Sequence, residues 1–180
     1  MRIKLEESLG LIIDFQEKLF PHINDNEQIA KNTEILVKGL KILKVPIIVT
    51  EQYTKGLGFT IPVVAKALEE SEAIEKMSFS CYDEDNFRGE IRQLNKKFVI
   101  IAGIETHVCV LQTAIDLIEG GYQPVVVEDC VSSRTEKDKK IAIERMRQEG
   151  VIISSFESVL FELTRVSGTE KFKFISKLLK

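Results

Sequence analysis

Three side chains able to move a proton or attack a carbonyl stand where apolar runs end: Asp14, Lys76 and Cys109. Asp14 closes the stretch Leu9–Ile13, which is apolar or glycine throughout, and is followed by Phe15. A carboxylate ending a buried strand loses solvation, which raises its pKa and suits it to accept a proton. Helix capping or loop ordering is the competing role for such an aspartate. Cys109 lies in GIETHVCV (103–110), where an apolar run passes into a helical pattern. With Thr106 as N-cap, the cysteine falls in the first helical turn, where unpaired N–H groups and the helix dipole favour the thiolate. A small apolar side chain packed under the helix is the other reading. Lys76 follows Ala73–Ile74 and precedes MSFSCY. Beside a thiolate and a carboxylate it would keep both useful near neutral pH; taken alone it reads as a solvated surface lysine.

The elements that must position these residues alternate along the chain. LGLIIDF (9–15), VPIIVT (45–50), KKFVIIAG (96–103), YQPVVVED (122–129) and GVIIS (150–154) are short, largely β-branched and bounded by Gly, Pro or charge, as buried parallel strands are. A sixth short strand is expected near Ala73–Glu75. Helical patterns fill 26–44, 85–95, 107–120, 136–149, 156–166 and 169–179. In 107–120, Val108, Leu111, Ile115 and Ile118 recur at helical spacing and Gly120–Gly121 ends the run. This alternation predicts an α/β fold: a doubly wound, Rossmann-like, six-stranded, mostly parallel sheet with helices on both faces and strand order 3-2-1-4-5-6. In that order strands 1 and 4 are neighbours at the switch point, so Asp14 and Cys109 would face each other across the crevice. The segment 51–60, EQYTKGLGFT, reads as an irregular loop with two glycines and two aromatics, a composition common in functional loops.

The bulk composition narrows the classes. The chain has 180 residues, 44% of them hydrophobic, enough for one core, so one domain over 1–180 is expected. Lys plus Arg number 25 against 28 Asp plus Glu, a net charge of −3 that argues against nucleic acid as the main partner. Cys81, Cys109 and Cys130 are an odd, widely spaced set without a CxxC pair, which fits a reducing compartment better than a disulfide framework. Acidic residues follow the early cations where a secretory signal would need an apolar run, and no segment suits a membrane span. A cytoplasmic protein with no membrane partner is therefore expected. A nucleotide-binding module is disfavoured because neither GxGxxG after the first strand nor GxxxxGK[ST] occurs.

Asp14 in LIIDFQEKLF, the segment TEQYTKGLG (50–58), Lys76 before a Ser/aromatic run, and GIETHVCVLQTAIDLIEGGYQPVVVEDCVSSR (103–134) together resemble the isochorismatase-like cysteine hydrolases, most strongly the metal-free subgroup. The resemblance runs from about residue 8 to the C-terminal helices. It implies a C–N hydrolase of a small molecule that works through a covalent thioester: Asp14 as general base, Cys109 as nucleophile and Lys76 completing the triad. It further implies a cis Ile104–Glu105 peptide, with backbone N–H groups of Glu105 or Thr106 and of Cys109 facing the substrate oxygen. Nicotinamidase-type members carry Asp and His metal ligands after the second strand, whereas Thr50–Glu51–Gln52–Tyr53 stands here. Neither a metal nor another cofactor is expected. Members that cleave the vinyl ether of isochorismate lack the cysteine, which sets this chain apart from them.

Phe15, Gln16, Tyr53, Leu57, Phe79 and Cys81 are further candidates for the pocket wall, each with a rival role in packing. His107 is placed to touch substrate or to cap the helix, and Cys130 reads as core. Val159, Leu160, Leu163, Phe172, Phe174, Ile175, Leu178 and Leu179 give the C-terminal segments more apolar surface than a covered sheet needs, so a homo-oligomer is expected. The alternative to an enzyme is a catalytically silent relative kept for binding or assembly.

Overall fold

In a computed structural model, which describes residues 1–69 and 71–180, six parallel strands form one sheet. They are β1 (Ser8–Ile13), β2 (Ile47–Gln52), β3 (Ala73–Lys76), β4 (Phe98–Ile104), β5 (Gln123–Ser132) and β6 (Ile152–Ser154). Their order is β3-β2-β1-β4-β5-β6, the predicted one, with every pairing parallel. The helices are α1 (Asn26–Ile42), α2 (Thr54–Leu57), α3 (Pro62–Leu68), α4 (Asp85–Leu94), α5 (Leu111–Glu119), α6 (Glu136–Gln148), α7 (Phe156–Thr164) and α8 (Glu170–Leu178).

Why the strands read as continuous apolar runs is plain from the layers. Ile12, Val49, Ile100, Ala102, Val125 and Val127 pack against α1, α3, α7 and α8. Their chain neighbours Leu11, Ile13, Ile48, Val99, Ile101 and Val126 pack against α4, α5 and α6. Both faces are covered, so each such side chain contributes about 1.5–3 kcal/mol by leaving water. Side-chain oxygens of Thr135, Ser155 and Thr169 accept the N–H of Asp138, Ser158 and Phe172, capping α6, α7 and α8 where the periodicity placed their starts.

Three expectations change. The segment 51–60 is partly helical, holding α2, and α3 follows directly. Pro62 sits at the start of α3, its missing N–H harmless there, and Val64, Ala67 and Leu68 fall on one face against the core. The β-branched pair Val63–Val64 masked that helix in the sequence. The 107–120 helix begins as a π-helical turn, Thr106–Val110, and becomes α only at Leu111, with Glu105 instead of Thr106 at its N-cap. The C-terminal segments spend half of the apolar side chains named above inside the chain: Val159, Leu160, Leu163 and Ile175 are buried on the α1 side of the sheet, while Phe174 stays exposed.

The switch point depends on Gly103. Ile13 pairs with Thr50 on one side and Gly103 on the other. A Cβ at position 103 would lie 2.6 Å from the Ile13 Cβ and 2.9 Å from its carbonyl oxygen. Glycine therefore lets β1 and β4 close together at their carboxyl ends, where ligands enter such sheets.

Candidate active site

Asp14, Lys76 and Cys109 converge just beyond those strand ends. Asp14 is the first residue past β1 and adopts a left-handed conformation with φ 53°. Aspartate tolerates this region better than most residues, at a cost of order 1 kcal/mol that surrounding bonds must hold. Its N–H donates to the Thr50 carbonyl (3.1 Å), and its Oδ1 accepts from the Thr50 hydroxyl (2.8 Å). Lys76 ends the edge strand β3 yet is only 1% exposed, because its side chain runs inward beneath the Ser78–Phe79 turn. The ammonium donates to the carbonyls of Ser78 and Phe79, both at 3.1 Å, and lies 2.7 Å from Asp14 Oδ2. Oδ2 thus has the Lys76 ammonium as its polar partner, and Oδ1 has the Thr50 hydroxyl. Cys109, on the π-helical turn, is buried close enough to the Asp14 carboxylate for each to shift the other's titration.

The electrostatics correct the expectation of a preformed thiolate. Burial, then the negative charge of Asp14, push the Cys109 thiol well above its ordinary pKa, and Lys76 only partly offsets them. Burial also raises the Asp14 carboxyl, against the pull of Lys76 and Thr50. The Lys76 ammonium is penalised by burial, but Asp14, Cys109 and Cys81 outweigh that, and its pKa ends up raised. The resting arrangement is a neutral thiol, a carboxylate able to receive its proton, and an ammonium beside both. The helix-start dipole acts on the sulfur, but desolvation next to a carboxylate wins.

The other predicted residues divide. Ile104 and Glu105 join in a cis peptide, as the resemblance implied, and with the fully buried Thr106 they lead into the Cys109 turn. Glu105 also pairs with Arg134 Nε at 2.9 Å. Tyr53 and Phe79 are exposed, and Tyr53 borders with Lys55, Glu75, Lys76, Met77 and Glu84 a cleft of about 320 Å³ whose lining includes neither Asp14 nor Cys109. Leu57 is half-buried on α2. Phe15, expected as a wall of the pocket, is 1% exposed and packs with the α1 side of the sheet, away from Cys109. Gln16 is fully buried and ties the loop, its amide bonding the Gln52 N–H and carbonyl and the Gly58 carbonyl, all at 2.8 Å. Cys130 belongs to the α1-side core. His107 Nδ1 is 2.9 Å from the Ser133 hydroxyl, a contact that orients its ring. Cys81, half a candidate for the wall, is fully buried and bonded to Thr50.

Several positioning groups escaped the sequence. Glu51 accepts from the Thr60 N–H and hydroxyl (2.7 and 2.6 Å), Glu75 from the N–H and hydroxyl of Thr54 (2.9 and 2.6 Å), and Glu84 from Met77, Ser78 N–H and Ser78 hydroxyl. These acids hold the two loops that flank Lys76. Thr50 was visible only as the residue paired to Ile13, one position before Asp14, a signal that needs the strand register to be known. Among the described residues no three His, Cys, Asp or Glu side chains gather as a chelating group.

Known proteins can be set beside this geometry. An isochorismatase domain model matches residues 8–158. A secreted isochorismatase effector of Phytophthora sojae is 42% identical over 183 residues, covering 99% of this chain and 87% of the relative. The solved MAR1 ribonuclease of Caenorhabditis elegans superposes with a TM-score of 0.93 at 37% identity, over 99% of this chain and 92% of that one. The YcaC protein of Escherichia coli, described as an octameric hydrolase of unknown specificity, superposes at 0.87 with 26% identity, over 92% and 83%.

Proposed function

The chain belongs to the isochorismatase family of hydrolases, and from that premise we propose that it hydrolyses a C–N bond of a small amide-like substrate through Cys109. The observation that carries this reading is the burial of Cys109 near an Asp14 carboxylate that lies 2.7 Å from Lys76, all three within the closed end of the sheet. As Cys109 attacks the carbonyl carbon, its proton passes to Asp14 and the carbonyl oxygen becomes an oxyanion. Backbone N–H groups at Glu105 or Thr106 and at Cys109 face that oxygen. Collapse of the tetrahedral adduct breaks the C–N bond, and Asp14 returns the proton to the leaving nitrogen. Water, deprotonated by the same carboxylate, then attacks the thioester; the acid leaves and the sulfur regains a proton. Lys76 lowers the energy of the anionic states throughout. No step calls for a metal.

A small neutral substrate suits the opening. Glu75 and Glu84 border it beside Lys55 and Lys76, a mixed rim that gives a polyphosphate little to bind, so RNA, named for the nematode relative, is not the substrate proposed here. Tyr53, Phe59, Met77 and Phe79 stand exposed on the loops 53–60 and 77–79, and we infer that copies of the chain associate through them; that the bacterial YcaC protein is an octamer supports association. Among the described residues no helix is long and apolar enough to cross a membrane. A reducing, cytoplasmic setting suits a protein whose cysteines are all free and whose reaction needs a thiol.

The test is a panel of small amides, carbamates and ureas assayed for ammonia or amine release, with Cys109→Ala as control. Turnover that the control loses supports the reading. A control retaining more than about a tenth of the activity, a barrier change under ~1.4 kcal/mol, makes the sulfur a spectator.

A further inference from the structure

Behind the carboxylate lies a buried chain of polar groups that the mechanism above does not use. The Cys81 thiol donates to the Thr50 hydroxyl (3.7 Å between heavy atoms), and that hydroxyl donates to Asp14 Oδ1 (2.8 Å). The Cys81 N–H donates in turn to the Thr113 hydroxyl (2.9 Å), one helical turn after Cys109. Asp14, Thr50, Cys81 and Thr113 are each at most 1% exposed, so water does not substitute for any partner. The network ties the end of β1 to β2, to the turn after β3 and to the helix that follows the Cys109 turn.

The direction of each bond is set by chemistry. An ionised carboxylate only accepts, so the single Thr50 proton must point at Oδ1. With that proton committed, Thr50 can only accept from Cys81, and the thiol must be the donor. Cys81 keeps its proton, burial and the nearby Asp14 charge having pushed its pKa up to about 11. Oδ1 is thus held by Thr50, while Oδ2 is held by the Lys76 ammonium at 2.7 Å.

We propose that Thr50, backed by Cys81, is a positioning residue that holds Oδ1 of Asp14 and keeps the carboxylate ionised, ready to take the Cys109 proton. A proton on Oδ1 would force Thr50 to turn its own proton onto Cys81, breaking both donations, so the donor chain opposes protonation of the resting carboxylate. The same donation favours the ionised carboxylate, which keeps the base available at lower pH. This inference rests on the reading of Asp14 as the base for Cys109.

The experiment follows the rate of Cys109 alkylation by iodoacetamide from pH 4 to 9, site-resolved by peptide mass spectrometry, in wild type, Thr50→Val, Thr50→Ser and Cys81→Ala. Between the two macroscopic pKa values of the thiol–carboxylate pair the rate is flat, and below the lower one it falls tenfold per pH unit. In Thr50→Val this acid limb moves to higher pH by about one unit, so labelling on the limb slows about tenfold; Thr50→Ser restores the wild-type limb. Cys81→Ala shifts it the same way by less, and decides the matter if Thr50→Val does not fold. Thr50→Val, or failing that Cys81→Ala, with an unmoved limb overturns the inference and leaves the proposed function standing. A wild-type rate with no acid limb, or one whose limb survives Asp14→Asn, removes Asp14 as the base and overturns both.

Discussion

Replacing Lys76 by methionine removes the cation from a pair whose members are each 1% exposed, and the outcome depends on pH in a way that geometry fixes. At 2.7 Å and an effective dielectric of about 20, the lost attraction is about 6 kcal/mol. Removing one partner of a buried pair costs about 3–5 kcal/mol of stability in practice, since the survivor is stranded without solvent. The folded protein escapes by protonating Asp14, whose pKa, already raised by burial, must rise further. A carboxyl with a folded pKa above its unfolded one contributes stability that is full below the unfolded pKa and is lost as pH rises through the folded pKa. Lys76→Met should therefore show its smallest deficit at pH 4 and its largest at pH 8. The double variant Asp14→Asn, Lys76→Met carries no buried charge and should exceed Lys76→Met at pH 8 by about 3 kcal/mol, or roughly 10 °C in Tm for a chain of this size. The Ser78 and Phe79 carbonyls lose their donor in both variants, so that effect cancels. Urea unfolding at pH 4, 6 and 8 measures the difference. A Lys76→Met deficit constant over that range, or a double variant no more stable than Lys76→Met, would falsify the reasoning.

Three other outcomes follow. Because the Asp14 charge helps to hold the Cys109 thiol neutral, Asp14→Asn should lower the thiol pKa read from iodoacetamide labelling while abolishing turnover; an unchanged or raised pKa would show that the carboxylate is not charged beside it. Cys81 titrates near 11 in the fold against 9.0 for a free thiol, so its neutral form contributes stability below pH 9 that is lost between pH 9 and 11, about 3 kcal/mol. Cys81→Ala should flatten that decline in urea midpoints, and a decline of the same size in the variant would assign it elsewhere. Light scattering at micromolar concentration should give a mass above the 20.5 kDa of one chain, and polar replacements of Phe59, Met77 and Phe79 should lower it; a monomeric wild type would end the case for association.

Sequence patterning revealed the sheet because parallel strands buried on both faces leave uninterrupted apolar runs, and because a carboxylate or thiol at the end of such a run stands out. Strand order then brought Asp14 and Cys109 to neighbouring strand ends before any distance was known. What stayed hidden depends on direction and register. Phe15 follows Asp14 directly, but the left-handed turn at Asp14 sends it to the α1 side of the sheet. The π-helical turn has no local marker, since its extra residue is visible only in which carbonyl each N–H reaches. The ionisation of Cys109 was misjudged because the helix start is local and legible, while the opposing burial and the charge of Asp14 come from distant segments. The C-terminal apolar residues looked surplus until α1 supplied Gly39, where a Cβ would come within 2.5 Å of Leu160.

The loop from Tyr53 to Thr60 is fastened at three points, by Gln16, Glu51 and Glu75, before any ligand arrives. On the proposed reading, a molecule entering beside this loop meets a wall already held in shape and does not have to organise one. The entropy of ordering that loop was met during folding, so the full contact energy of the mouth goes to affinity and orientation. Selectivity in such a site works by exclusion: a molecule that fits enters at a rate set by encounter, and one that does not fit finds no compliant segment to make room for it. Widening the range of accepted molecules would then begin with loosening one of these fastenings, with no change to the residues that touch the reacting atoms.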